Sequence, residues 1–225
     1  MLKLLINLFF PEVCYACLRF LSDNENFICT HCRHHLPVTN FHFNNSNAVK
    51  KVLYGRAIIE NGTALFRFEK QGLVQQLIHG LKYKGYQNIG FALGNWLGAE
   101  LKTVQAYKNI DLVIPVPLHK SKLKKRGYNQ VSKFAQQIAQ ALNATYTDQV
   151  LLKTSQSESQ VNKKRWARWN NTNTLFVLNN KTKIENKHIL IVDDVITTGA
   201  TLEACINVLQ QANNVKISIA TIAIA

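Results

Sequence analysis

The segment LIVDDVITTGATLEAC, residues 190–205, places two adjacent acids directly after an apolar run and follows them with hydroxyls and a glycine. Burying Asp193 and Asp194 without partners is expensive, which favours a hydroxyl-rich ligand or a metal beside them. The next residues enter a helix, where free backbone N–H groups and the positive end of the helix dipole favour an anion. This turn comprises Thr197, Thr198, Gly199, Ala200 and Thr201. The two carboxylates can bind a sugar diol, and the neighbouring turn can bind a phosphate. Together they predict a site for a ribose 5-phosphate.

A second group of reactive side chains lies near the N-terminus. Four of the five cysteines form two C-x2-C pairs separated by eleven residues: Cys14 with Cys17, and Cys29 with Cys32. Two such turns present four thiolates to one tetrahedral ion, which predicts a structural zinc site with no open position for catalysis. Two alternatives stay open. The cysteines form disulfides or a redox pair, or one of His31, His34 and His35 replaces a thiolate.

Apolar periodicity predicts strands that alternate with helices along most of the chain. DLVIPVP (111–117) and HILIVDDV (188–195) are typical of buried strands. Amphipathic helices are predicted over 129–142 and over about Thr201 to Asn213, and VKISIATIAIA (215–225) is a final alternating strand. Strands interleaved with helices predict an α/β domain, with a mostly parallel sheet and helices on both of its faces.

Local patterns add four predictions. GLVQQLIHGLKY (72–83) is an amphipathic helix, Asn61-Gly62 is a hairpin turn, and a strand covers about Tyr146 to Leu152. The segment from Leu36 to Lys50 is polar and lacks periodicity, which predicts a linker. The domain boundary is therefore expected near residue 50, with a small cysteine-containing domain over 1–50 and the α/β domain over 51–225.

The charge of the chain favours anionic partners. It carries 27 basic and 13 acidic side chains, a formal net charge of +14, which suits nucleic acid, phosphorylated metabolites or an anionic membrane. The longest early apolar run, Leu4 to Phe10, is far shorter than the about 20 residues that span a bilayer. It also lacks a cleavage site. We therefore expect no membrane span and a cytoplasmic location.

LIVDDVITTGAT resembles the signature with which type I phosphoribosyltransferases bind phosphoribosyl pyrophosphate (PRPP). With the cysteine pairs, LIHGLKYKG and IPVPLHKSKLKKRGYNQ in this order, nearly the whole chain is similar to the ComF family of competence-related phosphoribosyltransferase-like proteins. The resemblance implies a type I phosphoribosyltransferase-like fold with a small N-terminal zinc-ribbon-like domain that has four cysteine ligands. It implies that Asp193 and Asp194 contact the ribose hydroxyls and that residues 197–201 bind the 5-phosphate. The expected activity is Mg²⁺-dependent glycosyl transfer from PRPP to an unidentified nitrogen acceptor.

The basic residues after IPVP occupy the position of the pyrophosphate-binding loop in type I transferases. The resemblance implies catalytic roles for three of the basic side chains: Lys124, Arg126 and Arg165. Contacts with diphosphate or nucleic acid are expected from four others: Lys82, Lys84, Lys125 and Arg168.

Residues 154–176 form a long polar segment at the position of the flexible catalytic loop of type I transferases. Trp166 and Trp169 in this segment either stack on a base or pack the loop shut. A rival hypothesis is a non-catalytic module that binds a nucleotide or single-stranded DNA during uptake for transformation. In that case the cysteine-containing domain docks on a competence helicase. The sequence leaves the oligomeric state open.

Overall fold

The computed structural model describes residues 11–44, 47–154 and 176–225. Its centre is a five-stranded parallel sheet in the order β1-β7-β6-β2-β3. The strands are β1 (Gly62–Arg67), β2 (Leu112–Pro115), β3 (Thr145–Tyr146), β6 (His188–Ile196) and β7 (Lys216–Ile224). A separate antiparallel pair joins β4 (Leu151–Lys153) to β5 (Phe176–Leu178). The predicted mostly parallel sheet is confirmed.

Strand β6 lies in the middle of the sheet and is apolar almost without interruption because protein covers both of its faces. Residues 189–192 are all buried. Pro115 at the end of β2 pairs with Val192, and Asp193 pairs with Thr221 of β7. Since the strands are parallel, their carboxyl ends share one edge, which is where ligands collect in open α/β sheets.

One face of the sheet is covered by α3 (Leu73–Tyr83), α4 (Gln87–Thr103) and α6 (Ser132–Leu142). Helices α4 and α6 approach closely because α4 carries glycines every four residues on the contact. A Cβ on Gly94 would lie 2.6 Å from the carbonyl oxygen of Phe134. No larger residue fits there without moving the backbone of α6. The helices predicted over 72–83 and 129–142 are confirmed.

The opposite face is covered by α2 (Ala48–Leu53), α7 (Ala200–Leu209) and the β4–β5 pair. Helix α7 packs through Leu202 and Ile206, which are both buried. It ends before the predicted Asn213 because the chain turns at residues 210–214. A further helix, α5 (Lys120–Arg126), leaves the carboxyl edge after β2 and has no buried residue.

Two predictions about local structure are wrong. Asn61-Gly62 is not a hairpin turn, because the chain does not reverse there and continues parallel to β7. The N–H of Glu60 donates to the carbonyl of Ile217, and β1 begins at Gly62. The predicted strand from Tyr146 to Leu152 is two strands in different sheets.

The segment predicted as a linker makes ordered contacts with the sheet. Val38 forms an antiparallel bridge with Phe66 of β1, and the Asn47 side chain donates to the carbonyl of Gly62. Asn47 also caps α2 by accepting from the N–H of Lys50. The boundary near residue 50 stays a prediction.

The cysteine-containing segment packs against the outer side of α4. Tyr15 stacks on Tyr86 with ring centroids 4.9 Å apart, and the Arg33 guanidinium lies 5.2 Å from the ring centroid of Trp96. A short helix, α1 (Thr30–His35), carries Arg33. Across 11–44, 47–154 and 176–225, no helix is long and apolar enough to cross a membrane.

Candidate functional site

The predicted phosphate turn connects β6 to α7 at the carboxyl edge of the sheet. Gly199 is the N-cap residue of α7 and has no side chain to cap it, and the N–H of Ala200 makes only a long 3.5 Å hydrogen bond to the Thr198 hydroxyl. Thr197, Thr198, Ala200 and Thr201 are exposed. The first N–H groups of a helix have no partner within the helix, and the helix dipole makes them attractive to an anion. The turn therefore has the geometry of an anion site.

Gly199 is required by the shape of this turn. Its φ of +76° lies in the left-handed region, which residues with a Cβ rarely adopt. A Cβ at this position would also lie 2.9 Å from the side chains of both Val52 and Leu53 of α2. The turn is thus held against α2, and its conformation depends on packing from a distant part of the sequence.

Asp194 is buried and fully engaged on the face of the sheet that α3 and α6 cover. Its Oδ1 accepts from the Lys82 ammonium at 2.9 Å, and its Oδ2 accepts from the Gln130 amide at 2.6 Å. The Oε1 of Gln130 in turn accepts from the Arg126 guanidinium at 2.7 Å. A buried carboxylate is tolerated because both of its oxygens are paired.

Asp193 lies on the other side of β6, as expected for neighbouring residues of a strand. Burial, followed by repulsion from the Asp194 carboxylate, raises the pKa of its carboxyl to about 7. The backbone N–H of Asp194, Lys82 and Lys153 act in the opposite direction. Its Oδ1 accepts from the N–H of Asp194 at 2.8 Å. The two acids therefore do not present one joint pair of carboxylates, since one lies on each side of the strand end.

A cavity of about 290 Å³ opens at Lys82, the side chain that is bonded to Asp194. It is lined by Lys82, Tyr83, Gly85, Lys122, Lys125, Arg126 and Tyr128. The four cationic side chains in this set define what we call the cation cavity. The Arg126 guanidinium lies 5.4 Å from the ring centroid of Tyr83, and the Tyr128 hydroxyl donates to the carbonyl of Leu81. Such a cavity suits an anion with several oxygens.

The structure brings only some of the predicted basic residues together. Lys82, Lys125 and Arg126 line the cation cavity, whereas Lys84 and Lys124 do not. Arg165 and Arg168, together with Trp166 and Trp169, lie outside the described residues. Helix geometry explains which residues of α5 line the cavity. Positions three and four apart lie on the same face of a helix, so 122, 125 and 126 share one face, whereas 124 lies on another.

Three residues near the site were not predicted. Lys122 could have been found from its helical spacing to Lys125 and Arg126. Gln130 and Arg56 carry no such signal. Arg56 reaches the phosphate turn from the turn that follows α2, and its guanidinium donates to the carbonyl of Thr198.

The four cysteines of the two C-x2-C pairs form a compact cluster of free thiols. Their sulfur atoms lie within 4.8 Å of one another, and the sulfurs of Cys17 and Cys29 are 3.8 Å apart. Backbone N–H groups point at the sulfurs, as in the 3.3 Å contact from Cys29 to Cys14. Burial raises the pKa of the Cys14 thiol, but N–H groups led by that of Cys29 outweigh it and lower the pKa to about 7. The cluster is a candidate metal centre.

The histidines near the cluster are exposed and do not belong to the group of metal-ligand atoms. His31 and His35 stack on each other with ring centroids 4.2 Å apart, and His35 Nδ1 contacts the His31 carbonyl at 2.7 Å. They and His34 are exposed, and the metal-ligand cluster found in the described residues consists of cysteines alone.

The sequence of the chain is similar to a known domain family and to known bacterial proteins. Residues 124–224 match the family model "Phosphoribosyl transferase domain". The DNA utilization protein YhgH of Escherichia coli K12 is 24% identical over 193 residues, which cover 84% of this chain and 80% of that protein. Competence protein F of Haemophilus influenzae is 26% identical over 61% of this chain and 55% of its own length.

The chain is a homologue of competence protein F with a phosphoribosyl transferase domain. The predicted resemblance to the ComF family and the predicted fold class are thereby confirmed. Among solved structures, a hypoxanthine phosphoribosyltransferase from Staphylococcus aureus is 22% identical, with a TM-score of 0.34. That alignment covers 61% of this ComF-like chain and 62% of the enzyme.

Proposed function

We propose that the chain binds PRPP or a related ribose 5-phosphate at the carboxyl edge of the sheet. The observation that carries this proposal is the position of the two anion sites. Helix α7, whose N-cap residue Gly199 has no capping side chain, begins six residues after Asp194. The carboxylate of Asp194 is bonded to Lys82, a cationic side chain of the cation cavity. PRPP carries a phosphate at one end and a diphosphate at the other, which matches an anion site on each side of the end of β6.

The assignment of ligand groups follows from this arrangement. The 5-phosphate accepts from N–H groups of residues 199–201, and the diphosphate is bound by Lys82, Lys122, Lys125 and Arg126. The ribose then lies across the strand end, where Asp193 and Asp194 approach it from opposite sides. Lys82 links the two parts, because a diphosphate in the cavity competes with Asp194 for its ammonium group.

The chemistry that we propose is transfer of the phosphoribosyl group to a nitrogen acceptor. Departure of diphosphate breaks the bond to ribose C1 and leaves positive charge on the sugar, and the nitrogen nucleophile forms the new bond there. The cations of the cavity stabilise the charge that develops on the diphosphate. Mg²⁺ prefers oxygen ligands, so the diphosphate and ribose oxygens of the ligand would hold the ion, which would supply further charge neutralisation.

We assign a structural zinc ion to the cysteine cluster. A tetrahedral site with Zn–S bonds of about 2.3 Å places its sulfurs about 3.8 Å apart, and Cys17 and Cys29 have this separation. All four positions are sulfur, so the ion stabilises the segment that carries the cysteines and leaves no place for a substrate.

A second candidate function is binding of single-stranded DNA. The basic excess of the region from Asp111 to Asn170, eleven Lys or Arg against three acids, favours a polyanion. The names of the relatives, DNA utilization protein and competence protein F, agree with a role in DNA uptake. In this alternative the cysteine-containing segment docks on a helicase.

Calorimetric titration of PRPP with Mg²⁺ tests the proposal and separates the two functions. We expect the Lys125→Met, Arg126→Met double variant to weaken PRPP binding at least about 100-fold, because each lost hydrogen bond to a charged group contributes about 1.5 to 3 kcal/mol. Lys108→Met is the control. It also removes a positive charge, but Lys108 is exposed and lies outside the cavity.

Two results would contradict the proposal. The first is wild-type protein that shows no heat with PRPP and yet binds oligothymidine with a steep dependence on salt. The second is an equal loss of PRPP affinity in the double variant and in Lys108→Met. That result would mean that PRPP binding depends on the overall charge of the chain and not on the cavity.

A further inference from the structure

Arg56 connects three parts of the chain around the phosphate turn. Its Nη2 donates to the carbonyl of Val52 in α2 at 2.6 Å and also to the carbonyl of Thr198 in the turn. Its Nη1 forms a 3.0 Å ion pair with Glu203 in the first turn of α7. The side chain of Arg56 is 38% exposed and that of Glu203 is 29% exposed. The contacts are therefore favoured by the fixed planar geometry of the guanidinium donors rather than by burial.

The bond to Thr198 fixes the direction of the peptide that enters the turn. In a trans peptide the C=O and the following N–H lie in one plane and point in opposite directions. With the carbonyl of Thr198 held by Arg56, the N–H of Gly199 points away from the Arg56 guanidinium. Gly199 has the left-handed φ that allows this orientation. An anion at the turn would therefore meet an N–H group that is already aimed outward.

The ion pair with Arg56 offsets the negative charge that Glu203 places at the start of α7. Glu203 is the one acidic residue in the first turn of α7, and a carboxylate there repels a phosphate from the same N–H groups. The guanidinium of Arg56 neutralises this carboxylate through their 3.0 Å hydrogen bond. The start of α7 thus keeps its attraction for an anion although it carries an acid.

We infer that Arg56 is a positioning residue for the phosphate turn: it orients the Thr198–Gly199 peptide and screens the carboxylate of Glu203. This inference rests on the proposed function, because it names the ligand at the turn as a 5-phosphate. It predicts that Arg56 acts on the phosphate end of the ligand and leaves the cation cavity unaffected.

The test measures binding of ribose 5-phosphate and of inorganic pyrophosphate with Mg²⁺ to the full chain by calorimetry. Arg56→Met should weaken ribose 5-phosphate about 30-fold and change the pyrophosphate affinity less than about twofold. Adding Glu203→Gln should recover about one third to one half of the loss on a logarithmic scale, because it removes the unscreened carboxylate. Arg56→Lys should fall between wild type and Arg56→Met. Lys51→Met, an exposed position five residues before Arg56, should bind both ligands as wild type does.

A readout without ligand separates this inference from the proposed function. Hydrogen exchange at the amides of residues 199–201 should accelerate at least about tenfold in Arg56→Met, while exchange in β6 stays unchanged. Unchanged exchange at the turn, or equal losses for ribose 5-phosphate and pyrophosphate, would overturn the inference. If the turn loosens but wild-type protein binds no ribose 5-phosphate, the orientation of the peptide by Arg56 stands and the proposed phosphate ligand is wrong.

Discussion

Replacing Asp193 with Asn will stabilise the ligand-free protein at pH 8 and abolish PRPP binding. The wild-type carboxyl has its pKa raised to about 7 by burial and by the neighbouring Asp194. Its charge at pH 8 therefore costs free energy that a neutral amide does not. Asn preserves the oxygen that accepts from the N–H of Asp194. We expect a gain of about 1 to 3 kcal/mol in the free energy of unfolding, since one pKa unit corresponds to about 1.4 kcal/mol and solvent screens part of the effect.

The pH dependence of this gain has a definite sign. The pKa of Asp in the unfolded chain is about 3.9, so the native state binds the proton more tightly than the unfolded state does. Asp193 therefore destabilises the protein increasingly as the pH rises from about 4 to about 7. Urea denaturation should show the largest advantage of Asp193→Asn at pH 8 and a smaller one at pH 5.

Asp194→Asn is the matched control, with the opposite expected sign. Asp194 accepts from Lys82 and Gln130, and removal of its charge leaves the half-buried ammonium without its partner. We expect the free energy of unfolding at pH 8 to fall by about 1 to 3 kcal/mol. Equal shifts of the same sign in both variants would contradict the placement of the two acids on opposite sides of β6.

Cys32→Ser should remove the metal and destabilise the whole chain. Cys32 is fully buried in the sulfur cluster, and the core that packs around it is continuous with that of α4. We expect the wild-type protein to hold about one zinc ion per chain and the variant to lose it under mild chelation. Because binding of a structural metal is coupled to folding, the free energy of unfolding should fall by at least about 3 kcal/mol.

Cys205→Ala provides the control for that experiment. Cys205 is also fully buried, but it lies in α7 on the opposite face of the sheet and outside the cluster. Its variant should keep the zinc ion and lose only the packing of one sulfur atom, about 1 kcal/mol. A Cys32→Ser protein that retains zinc and wild-type stability would refute the assignment of the cluster to a structural metal.

Much of the fold was predictable because local patterns and tertiary packing agree. Strand β6 was evident from a continuous apolar run, and α6 from a clear helical period, since both patterns are set by which faces are buried. The cysteine cluster followed from spacing alone. The Asn61-Gly62 prediction failed because a turn signal is local, whereas the parallel pairing of β1 with β7 involves residues more than 150 positions apart.

The site was less predictable because its geometry depends on distant contacts. The sequence shows two adjacent acids, but only the structure shows that Asp194 is bonded to Lys82, 112 positions away. Arg56 lies 142 positions from the carbonyl of Thr198 that it binds. No periodicity encodes either contact. The basic run in α5 was evident, but only the helical geometry distinguishes Lys125 and Arg126 from Lys124.

The most direct test of the account is a crystal structure of the full chain with PRPP and Mg²⁺. We predict the oxygens of the 5-phosphate about 2.7 to 3.2 Å from the backbone nitrogens of residues 199–201, with the diphosphate against Lys125 and Arg126. The ammonium of Lys82 should have moved from Asp194 towards the diphosphate. A complex in which PRPP lies away from the carboxyl edge of the sheet, with the turn at Gly199 empty, would contradict it.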